Sequence, residues 1–248
     1  MLLIKDLNMH YHHVNLHVLK DINFTCKDAE IFSLIGPSGC GKSTLLNILA
    51  GNVKSHTGTI SLNGGSLDHK AMSIGLIAQD YGLLPWKTVY GNITLPLKIK
   101  KLKIADYKQK IDYVMKHLQI EHLKKRYPNQ ISGGQKQRVA IAKTFIMDLN
   151  LLLMDEPFSA LDAITREQTQ ALFLEIWADK KPSTLFVTHS IEEAVFLGKK
   201  ILIFSPSPGK IVATIDNPVF GGLRTSAEFY NTCTNVREIV KKEWEQDL

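Results

Sequence analysis

A glycine-rich loop between an apolar run and a helix-forming run constrains this chain more than any other feature. The loop reads Gly36-Pro37-Ser38-Gly39-Cys40-Gly41-Lys42-Ser43-Thr44. The apolar residues 31–35 precede it, and residues 45–50 favour a helix after it. Glycines at this spacing let backbone N–H groups close around phosphate oxygens, and the N terminus of the following helix adds positive potential. The loop therefore predicts an α/β fold in which all nine residues bind phosphate.

Two side chains of the loop carry the chemistry. The amino group of Lys42 reaches the β and γ oxygens of a nucleoside triphosphate, and the hydroxyl of Ser43 ligates Mg²⁺. Both residues stand at the predicted start of the helix. A phosphate loop alone leaves kinases, GTPases, helicases and transport ATPases open.

Length and composition limit the class of protein. With 248 residues, 44% of them hydrophobic, the chain suffices for one large α/β domain or two small ones. No apolar run approaches the roughly 18 residues that span a bilayer, and charged residues interrupt the N terminus, so we expect neither a membrane span nor a secretion signal. Cys26, Cys40 and Cys233 are odd in number and widely spaced, which favours reduced thiols in the cytosol.

The net charge of +6 leaves three interpretations open: nucleic acid, an anionic membrane surface, or a solvated basic exterior. The densest basic run, residues 98–103, has no aromatic residues between its lysines. Single-strand binders use such residues for stacking, so we expect no nucleic acid partner. A solvated exterior is the favoured interpretation, and lipid headgroups are the better functional alternative.

The pattern along the chain indicates sheets interrupted by a helical region. Residues 18–24 and 57–65 read as strands, the second ending in a turn. Ile111, Val114, Met115 and Leu118 recur at three and four residues, which predicts an amphipathic helix. Apolar runs at 151–154, 184–187 and 201–204, with helical patterns between them, then predict a parallel sheet.

Four motifs follow the phosphate loop in a fixed order. They are Ile131-Ser132-Gly133-Gly134-Gln135, Met154-Asp155-Glu156-Pro157, Ser159-Ala160-Leu161-Asp162 and Val187-Thr188-His189. Over nearly the whole chain this order resembles the ATP-binding cassette (ABC) ATPases. The resemblance implies an ATP hydrolase with a phosphate-loop, RecA-like parallel-sheet core, an N-terminal antiparallel β subdomain and an inserted α-helical subdomain. It also implies a single domain over 1–248, with the core and antiparallel sheet at about 1–87 and 143–248 and the helical subdomain at about 88–142.

Asp155 and Glu156 follow an apolar strand and should stand at the carboxyl edge of the sheet, where α/β folds bind ligands. The resemblance implies that Asp155 supports Mg²⁺ through its water shell. It implies that Glu156 polarises the water that attacks the γ-phosphate.

Ser132 precedes a helical run and is expected to cap it, which creates a second anion site at the helix N terminus. The resemblance implies that Ser132, Gly133, Gly134 and Gln135 of one subunit complete the γ-phosphate site of another. Catalysis then requires a head-to-tail homodimer with two shared ATP sites. Asp162 is likewise expected at the nucleotide.

Three further residues are assigned by the resemblance. Gln79, at the end of the apolar run 74–78, corresponds to a glutamine that contacts Mg²⁺ and the lytic water, although an ordinary strand-end glutamine is an alternative. His189 corresponds to the histidine that holds the γ-phosphate and orients catalytic groups. Tyr11, which lies 25 residues before Gly36, corresponds to the aromatic ring that stacks on adenine.

The histidines around Tyr11 suggest metal binding as an alternative. They are His10, His12 and His13. Adjacent histidines point to opposite faces of a strand, and no nearby acid or cysteine completes a ligand set, so the metal interpretation is disfavoured.

Ala29 stands where related ATPases commonly have glycine, and Ile131 stands where they have leucine; neither change touches the chemistry.

Two segments resemble the nitrate, sulfonate and taurine importer ATPases: Leu83-Leu84-Pro85-Trp86 and residues 205–211. This resemblance implies a subunit at the cytoplasmic face of the cell membrane that works with two integral-membrane permease subunits and an extracytoplasmic substrate-binding protein. Nitrate, a sulfonate, a bicarbonate-like anion and a vitamin precursor all remain open as substrates. Leu83, Leu84 and Trp86 are expected to dock a permease helix, with core filling as the alternative. The alternative function is an ATP-gated clamp on nucleic acid or the ribosome.

Overall fold

The computed structural model describes residues 1–11 and 15–245, in which the chain forms ten strands and eight α-helices. The strands are β1 (Leu2–Tyr11), β2 (Leu16–Cys26), β3 (Ile31–Ile35), β4 (Thr57–Leu62), β5 (Gly65–Ser66), β6 (Ile74–Ile77), β7 (Leu151–Asp155), β8 (Ser183–Val187), β9 (Lys200–Phe204) and β10 (Ile211–Asp216). The α-helices are α1 (Lys42–Leu49), α2 (Val89–Ile93), α3 (Leu95–Ile99), α4 (Lys108–His117), α5 (Gly133–Phe145), α6 (Ala163–Lys180), α7 (Ile191–Leu197) and α8 (Ala227–Glu245). Short 3-10 helices lie at Ile104–Tyr107, Glu121–Leu123 and Pro128–Gln130.

The larger sheet has the strand order β10-β9-β3-β8-β7-β6. All neighbouring strands from β9 to β6 pair in parallel, and β10 pairs with β9 in the antiparallel sense. The carboxyl ends of β3, β6, β7 and β8 therefore meet at one edge. The predicted parallel α/β core is confirmed, and this edge carries the site described below.

The smaller sheet has the order β2-β1-β4-β5 and is antiparallel throughout. In β1 the buried residues Leu2, Ile4, Leu7 and Met9 turn toward the core, and two left-handed residues in the β1–β2 pair, Asp6 and Asp21, accompany the register shifts between the strands. The predicted N-terminal antiparallel sheet is thus present: β2 contains the expected strand at 18–24, and β4 forms residues 57–62 of the segment 57–65 that the sequence predicts as a strand ending in a turn.

The two faces of the larger sheet pack against different layers. In β7, Leu151 and Leu153 belong to a core shared with α1 and the smaller sheet, whereas Leu152 and Met154 belong to a core shared with the helices. Because both faces are buried, the strand reads as a continuous apolar run instead of an alternating one.

Helices α2 to α5 fill the stretch from Val89 to Phe145. Helix α4 buries Ile111, Val114 and Met115 on one face, and Leu118, just beyond its end, is also buried, as the sequence periodicity predicts. Helix α5 continues to Phe145, three residues past the predicted subdomain boundary at 142. No helix in 1–11 and 15–245 combines the length and apolar character that crossing a bilayer requires.

Candidate functional site

The phosphate loop lies between β3 and α1 at the carboxyl edge of the larger sheet. Gly41 has φ +101°, and a β-carbon there would lie 2.7 Å from Leu19 Cδ2. A β-carbon at Gly36 would lie 2.7 Å from Cys40 Sγ. The close approach of strand β2 and of the loop's own side chains therefore requires glycine at both positions, as the motif predicts.

Lys42 is the first residue of α1, and its side chain is buried over the loop. Its Nζ donates hydrogen bonds of 2.8 Å to the backbone oxygens of Gly36 and Pro37. Its Nζ also lies 3.7 Å from Cys40 Sγ. Burial raises the pKa of the Cys40 thiol, against the lowering effect of Lys42, so Cys40 is a neutral small side chain that packs under the loop. The amino group of Lys42 is thus held against the loop at the place where a bound phosphate would lie.

Ser43 and Asp155 meet although 112 residues separate them. The hydroxyl of Ser43 donates to Asp155 Oδ1 at 3.1 Å, because α1 begins beside the end of β7. Burial raises the pKa of Asp155, and the neighbouring Glu156 carboxylate adds to this effect, while Ser43 and Lys42 oppose it. Two side-chain oxygen atoms that could bind a cation, Ser43 Oγ and Asp155 Oδ1, therefore face each other beside the phosphate loop.

Glu156 and His189 form a direct pair at the same edge. The distance from Glu156 Oε1 to His189 Nε2 is 2.5 Å. The backbone of Glu156 is left-handed, with φ +46°, and its N–H donates to Val187 O at 3.0 Å across the sheet. The two side chains line a cavity of about 280 Å³ that also includes Arg166 and Glu193.

Gln79 follows β6 by two residues and is exposed. Ile77 pairs with Met154 of β7, so Gln79 extends beyond the sheet edge on the side of Asp155 and Glu156. The structure gives this side chain no hydrogen bond among the described residues. It shares the edge with the acids, and no hydrogen bond joins it to them among the described residues.

Residues 132–135 lie apart from the phosphate loop within this chain. Ser132 caps α5 as predicted: its Oγ accepts from Gln135 N at 3.3 Å, and Gln135 Oε1 accepts from Ser132 N at 3.0 Å. A β-carbon at Gly134 would lie 2.4 Å from Thr165 Cγ2, so glycine permits α5 to approach α6. Within the described residues these groups form no hydrogen bond with residues 36–44.

Asp162 has a local structural role in this chain. It is the N-cap of α6, and its Oδ1 accepts from Thr165 N at 3.0 Å. This hydrogen bond is the first of the effects that lower the pKa of Asp162. Its expected contact with a nucleotide stays a prediction.

Tyr11 ends β1, pairs with Leu16 of β2 and is 38% exposed. Two residues farther along β2, Val18 Cγ1 would lie 3.0 Å from a β-carbon at Gly41. The hairpin therefore brings an exposed ring to the side of the phosphate loop. Of the nearby histidines, His10 makes an edge-to-face ring contact with His17. His12 and His13 lie outside the described residues. No three potential metal ligands cluster in 1–11 and 15–245.

Sequence reasoning missed Asn92, which organises the loop that carries Trp86. Asn92 is buried in α2; its Oδ1 accepts from Leu84 N at 2.7 Å, and its Nδ2 donates to the backbone oxygens of Leu84, Lys87 and Thr88 at 3.0–3.1 Å. Trp86 is 70% exposed on this loop. The sequence carried one signal for this role, which is an asparagine next to the apolar residues of a short helix.

The same loop also contacts the core. Leu83 packs against the buried residues of the helical side, so core filling describes Leu83, whereas Trp86 faces outward. Lys143 of α5 donates to Gly82 O at 2.6 Å and was likewise missed, since only tertiary structure brings it to the loop.

A family model described as "ABC transporter" matches residues 19–159, more than half of the chain. The chain belongs to the ABC transporter family. This ABC ATPase is 38% identical over 237 residues to the taurine import ATP-binding protein TauB of Pelagibacter ubique, covering 94% of this chain and 89% of TauB. It is 40% identical over 230 residues to the aliphatic sulfonates import ATP-binding protein SsuB of Bacillus licheniformis, covering 92% of this chain and 87% of SsuB.

The fold of the ABC ATPase also matches solved cassettes. A dimeric post-hydrolysis structure of the ATP-binding cassette MJ0796, bound to ADP and Pi, superposes with a TM-score of 0.76 and 30% identity, covering 89% of this chain and all of that one. The RecA-like core with its antiparallel β subdomain is therefore that of ABC cassettes. The protein is an ATP hydrolase that binds ATP.

Proposed function

We propose that this chain is the ATP-hydrolysing subunit of an importer for a small sulfonated or similar anionic solute. The observation that carries ATP hydrolysis is the pairing of Glu156 with His189 at the sheet edge where the phosphate loop holds Lys42. The TauB and SsuB relatives, which are import ATP-binding proteins for taurine and for aliphatic sulfonates, support the importer role and the solute class. The alternative of a nucleic acid or ribosome clamp is not favoured by these relatives.

The triphosphate is bound by the loop and by the residues at the sheet edge. Lys42 exchanges its backbone partners for the β and γ oxygens, while the remaining residues from Gly36 to Thr44 supply backbone N–H groups. The oxygens of Ser43 and Asp155, which are 3.1 Å apart, are hard donors of the kind that Mg²⁺ prefers, so these residues fit the ion. Gln79, two residues beyond the end of β6, is the third proposed ligand of the ion. Mg²⁺ bound there supplies positive charge against the phosphate oxygens.

Hydrolysis needs a group that orients the attacking water in line with the γ-phosphate. Glu156 is placed for this role by its strained backbone and by its position next to Asp155. His189 fixes the Glu156 carboxylate through their 2.5 Å contact and faces the γ-phosphate from the end of β8. The attacking water and the γ-phosphate then lie beside this aligned pair of side chains.

A second subunit completes the site. Ser132, Gly133, Gly134 and Gln135 stand at the start of α5, whose free N–H groups form an anion site away from this chain's own loop. In a head-to-tail homodimer the partner's α5 caps the γ-phosphate, Asp162 lies at the shared boundary, and Tyr11 stacks on adenine. The dimeric MJ0796 cassette supports dimerisation.

The remaining partners follow from the importer proposal. Two integral-membrane permease subunits dock at Trp86 and at a cavity of about 370 Å³ that is lined by Leu95, Pro96 and Ile99 and reaches Lys143, which donates to the loop of Trp86 at Gly82 O. An extracytoplasmic substrate-binding protein delivers the solute. The ABC ATPase then lies at the cytoplasmic face of the membrane.

The variant Glu156→Gln tests the catalytic assignment. We expect it to bind ATP, to accumulate as an ATP-bridged dimer and to lose hydrolysis by about 100-fold or more, because an amide cannot polarise the lytic water. Size-exclusion chromatography with ATP and a phosphate-release assay measure both properties.

Glu175→Gln provides the matched control, since Glu175 is an exposed acid on α6 away from the site. This control should hydrolyse ATP at the rate of the unmodified chain. A Glu156→Gln protein that stays monomeric with ATP and hydrolyses it normally would refute the assignment.

A further inference from the structure

A buried carboxylate, Glu193, lies directly behind the turn that carries His189. Thr188 Oγ1 donates to Glu193 Oε2 at 2.5 Å, and the same oxygen of Thr188 accepts from Ser190 N at 3.0 Å. Ser190 Oγ in turn accepts from Glu193 N at 3.2 Å. The residues immediately before and after His189 are thereby tied to each other and to the first turn of α7.

Helix α6 holds the other oxygen of this carboxylate. Gln170 Nε2 donates to Glu193 Oε1 at 3.0 Å, and Arg166 Nε lies 3.6 Å from the same atom. Arg224, from the segment before α8, donates to Gln170 Oε1 and stacks over the Phe196 ring at 3.8 Å. Three separate parts of the chain thus converge on one acid.

A buried, hydrogen-bonded carboxylate is an unfavourable way to fill space in a core, because removing it from water costs free energy. Thr188, Gln170 and Glu193 are all buried, and burial raises the pKa of Glu193, against hydrogen bonds from Thr188 and Gln170 and the positive charges of Arg166 and Arg224. Apolar side chains of similar size would fill the same space without this desolvation cost. The hydrogen bonds among Thr188, Ser190, Gln170 and Glu193 do, however, fix one geometry of the groups that they join, while Arg166 Nε interacts with the carboxylate by charge without a hydrogen bond.

We propose that Glu193 is a positioning residue for hydrolysis, which acts through Thr188 to hold the His189 ring against Glu156. The inference rests on the proposed function, because it assigns Glu193 to the same reaction. The Glu156–His189 contact of 2.5 Å depends on the backbone of the turn at 188–190. The Thr188 hydroxyl donates one hydrogen bond, to Glu193, and accepts another, from Ser190 N, and both bonds hold that backbone in place.

The test compares Thr188→Val, which keeps the shape but removes the hydroxyl, with Thr188→Ser, which restores it. We expect Thr188→Val to lower kcat for ATP by about tenfold with KM changed less than about twofold, and Thr188→Ser to recover most of the rate. Glu193→Gln should lower kcat as well, since an amide NH2 would replace one of the two carboxylate oxygens and face a donor, either the Thr188 hydroxyl or Gln170 Nε2.

A spectroscopic measurement separates positioning from folding. In full-length protein labelled with ¹³C at histidine Cε1, the His189 signal, identified by its loss in His189→Gln, should shift or broaden in Thr188→Val. The other histidine signals and the melting temperature should change little. Glu192→Gln, on the exposed side of the same helical turn, is the matched control and should leave both the signal and kcat unchanged.

Two outcomes overturn the inference. One is an unchanged kcat in Thr188→Val while His189→Ala loses activity, which leaves the proposed function standing. The other is a loss of kcat in Thr188→Val together with a lower melting temperature and an unmoved His189 signal, which marks a merely structural network. If His189→Ala itself hydrolyses ATP normally, the proposed function fails instead.

Discussion

At the scale of single residues, the site depends on pairs that sequence distance conceals. Ser43 meets Asp155 because α1 begins beside the end of β7, and Glu156 meets His189 because they follow the neighbouring strands β7 and β8. The backbone matters as well: Ala29 has φ +57°, a left-handed conformation that costs a non-glycine residue energy. This explains physically why glycine suits that turn better than alanine does.

The Tyr11 ring provides a prediction at this scale. We expect Tyr11→Ala to weaken ATP binding by about 1–3 kcal/mol, the range of base–aromatic stacking, and Tyr11→Phe to be nearly neutral. Isothermal titration with ATP measures both variants. Equal losses in the two variants would indicate that the hydroxyl or the local hairpin matters, and the stacking assignment would then be wrong.

At the scale of elements, the start of α5 combines two roles. The Ser132 and Gln135 side chains satisfy the first N–H groups of the helix by reciprocal hydrogen bonds. The remaining N–H groups stay available for an anion. Stability and catalysis can therefore both respond to one substitution, and a control is needed to separate them.

We expect Ser132→Ala to lower the free energy of unfolding by about 1 kcal/mol through loss of the cap, and also to reduce ATP hydrolysis. Ser132→Thr should retain the cap. Urea denaturation and a phosphate-release assay give the two readouts.

Thr88→Ala is the matched control for Ser132→Ala. Thr88 caps α2 by accepting from Gly91 N at 3.1 Å and is not among the residues assigned to the nucleotide. It should lose comparable stability with hydrolysis by the isolated chain unchanged. If Ser132→Ala behaves like Thr88→Ala in both readouts, Ser132 is a cap and nothing more.

At the scale of the whole molecule, the exposed face beside α2 and α3 carries the proposed contact with the permease. Asn92 holds the Trp86 loop rigid from the inside, so the indole is presented to solvent without loss of conformational order. A rigid, exposed aromatic side chain is the typical anchor of a protein interface.

We expect Trp86→Ala to cost about 2–4 kcal/mol of permease association while the isolated chain keeps its melting temperature and ATP affinity. Trp177→Phe is the contrasting variant: Trp177 is buried and its Nε1 donates to Pro182 O and Thr184 Oγ1, so its loss should lower the melting temperature. An unchanged permease affinity in Trp86→Ala, with a lower melting temperature, would place Trp86 in the core.

The sequence by itself determined the parts that depend on local rules. Glycine spacing predicted the phosphate loop, since a β-carbon at Gly36 or Gly41 meets neighbouring atoms. Apolar periodicity predicted α4 and the buried strands, and hydrogen-bonding capacity predicted Ser132 as a cap. The division into subdomains near 88 and 142 stays a prediction.

Tertiary structure alone decided which distant groups meet. The order β3-β8-β7-β6 brings Ser43 to Asp155 and His189 to Glu156, and no local pattern specifies strand order. Glu193 and Asn92 could not be recognised from the sequence for the same reason. Their importance comes from burial and from partners on other elements, which propensity and periodicity do not encode.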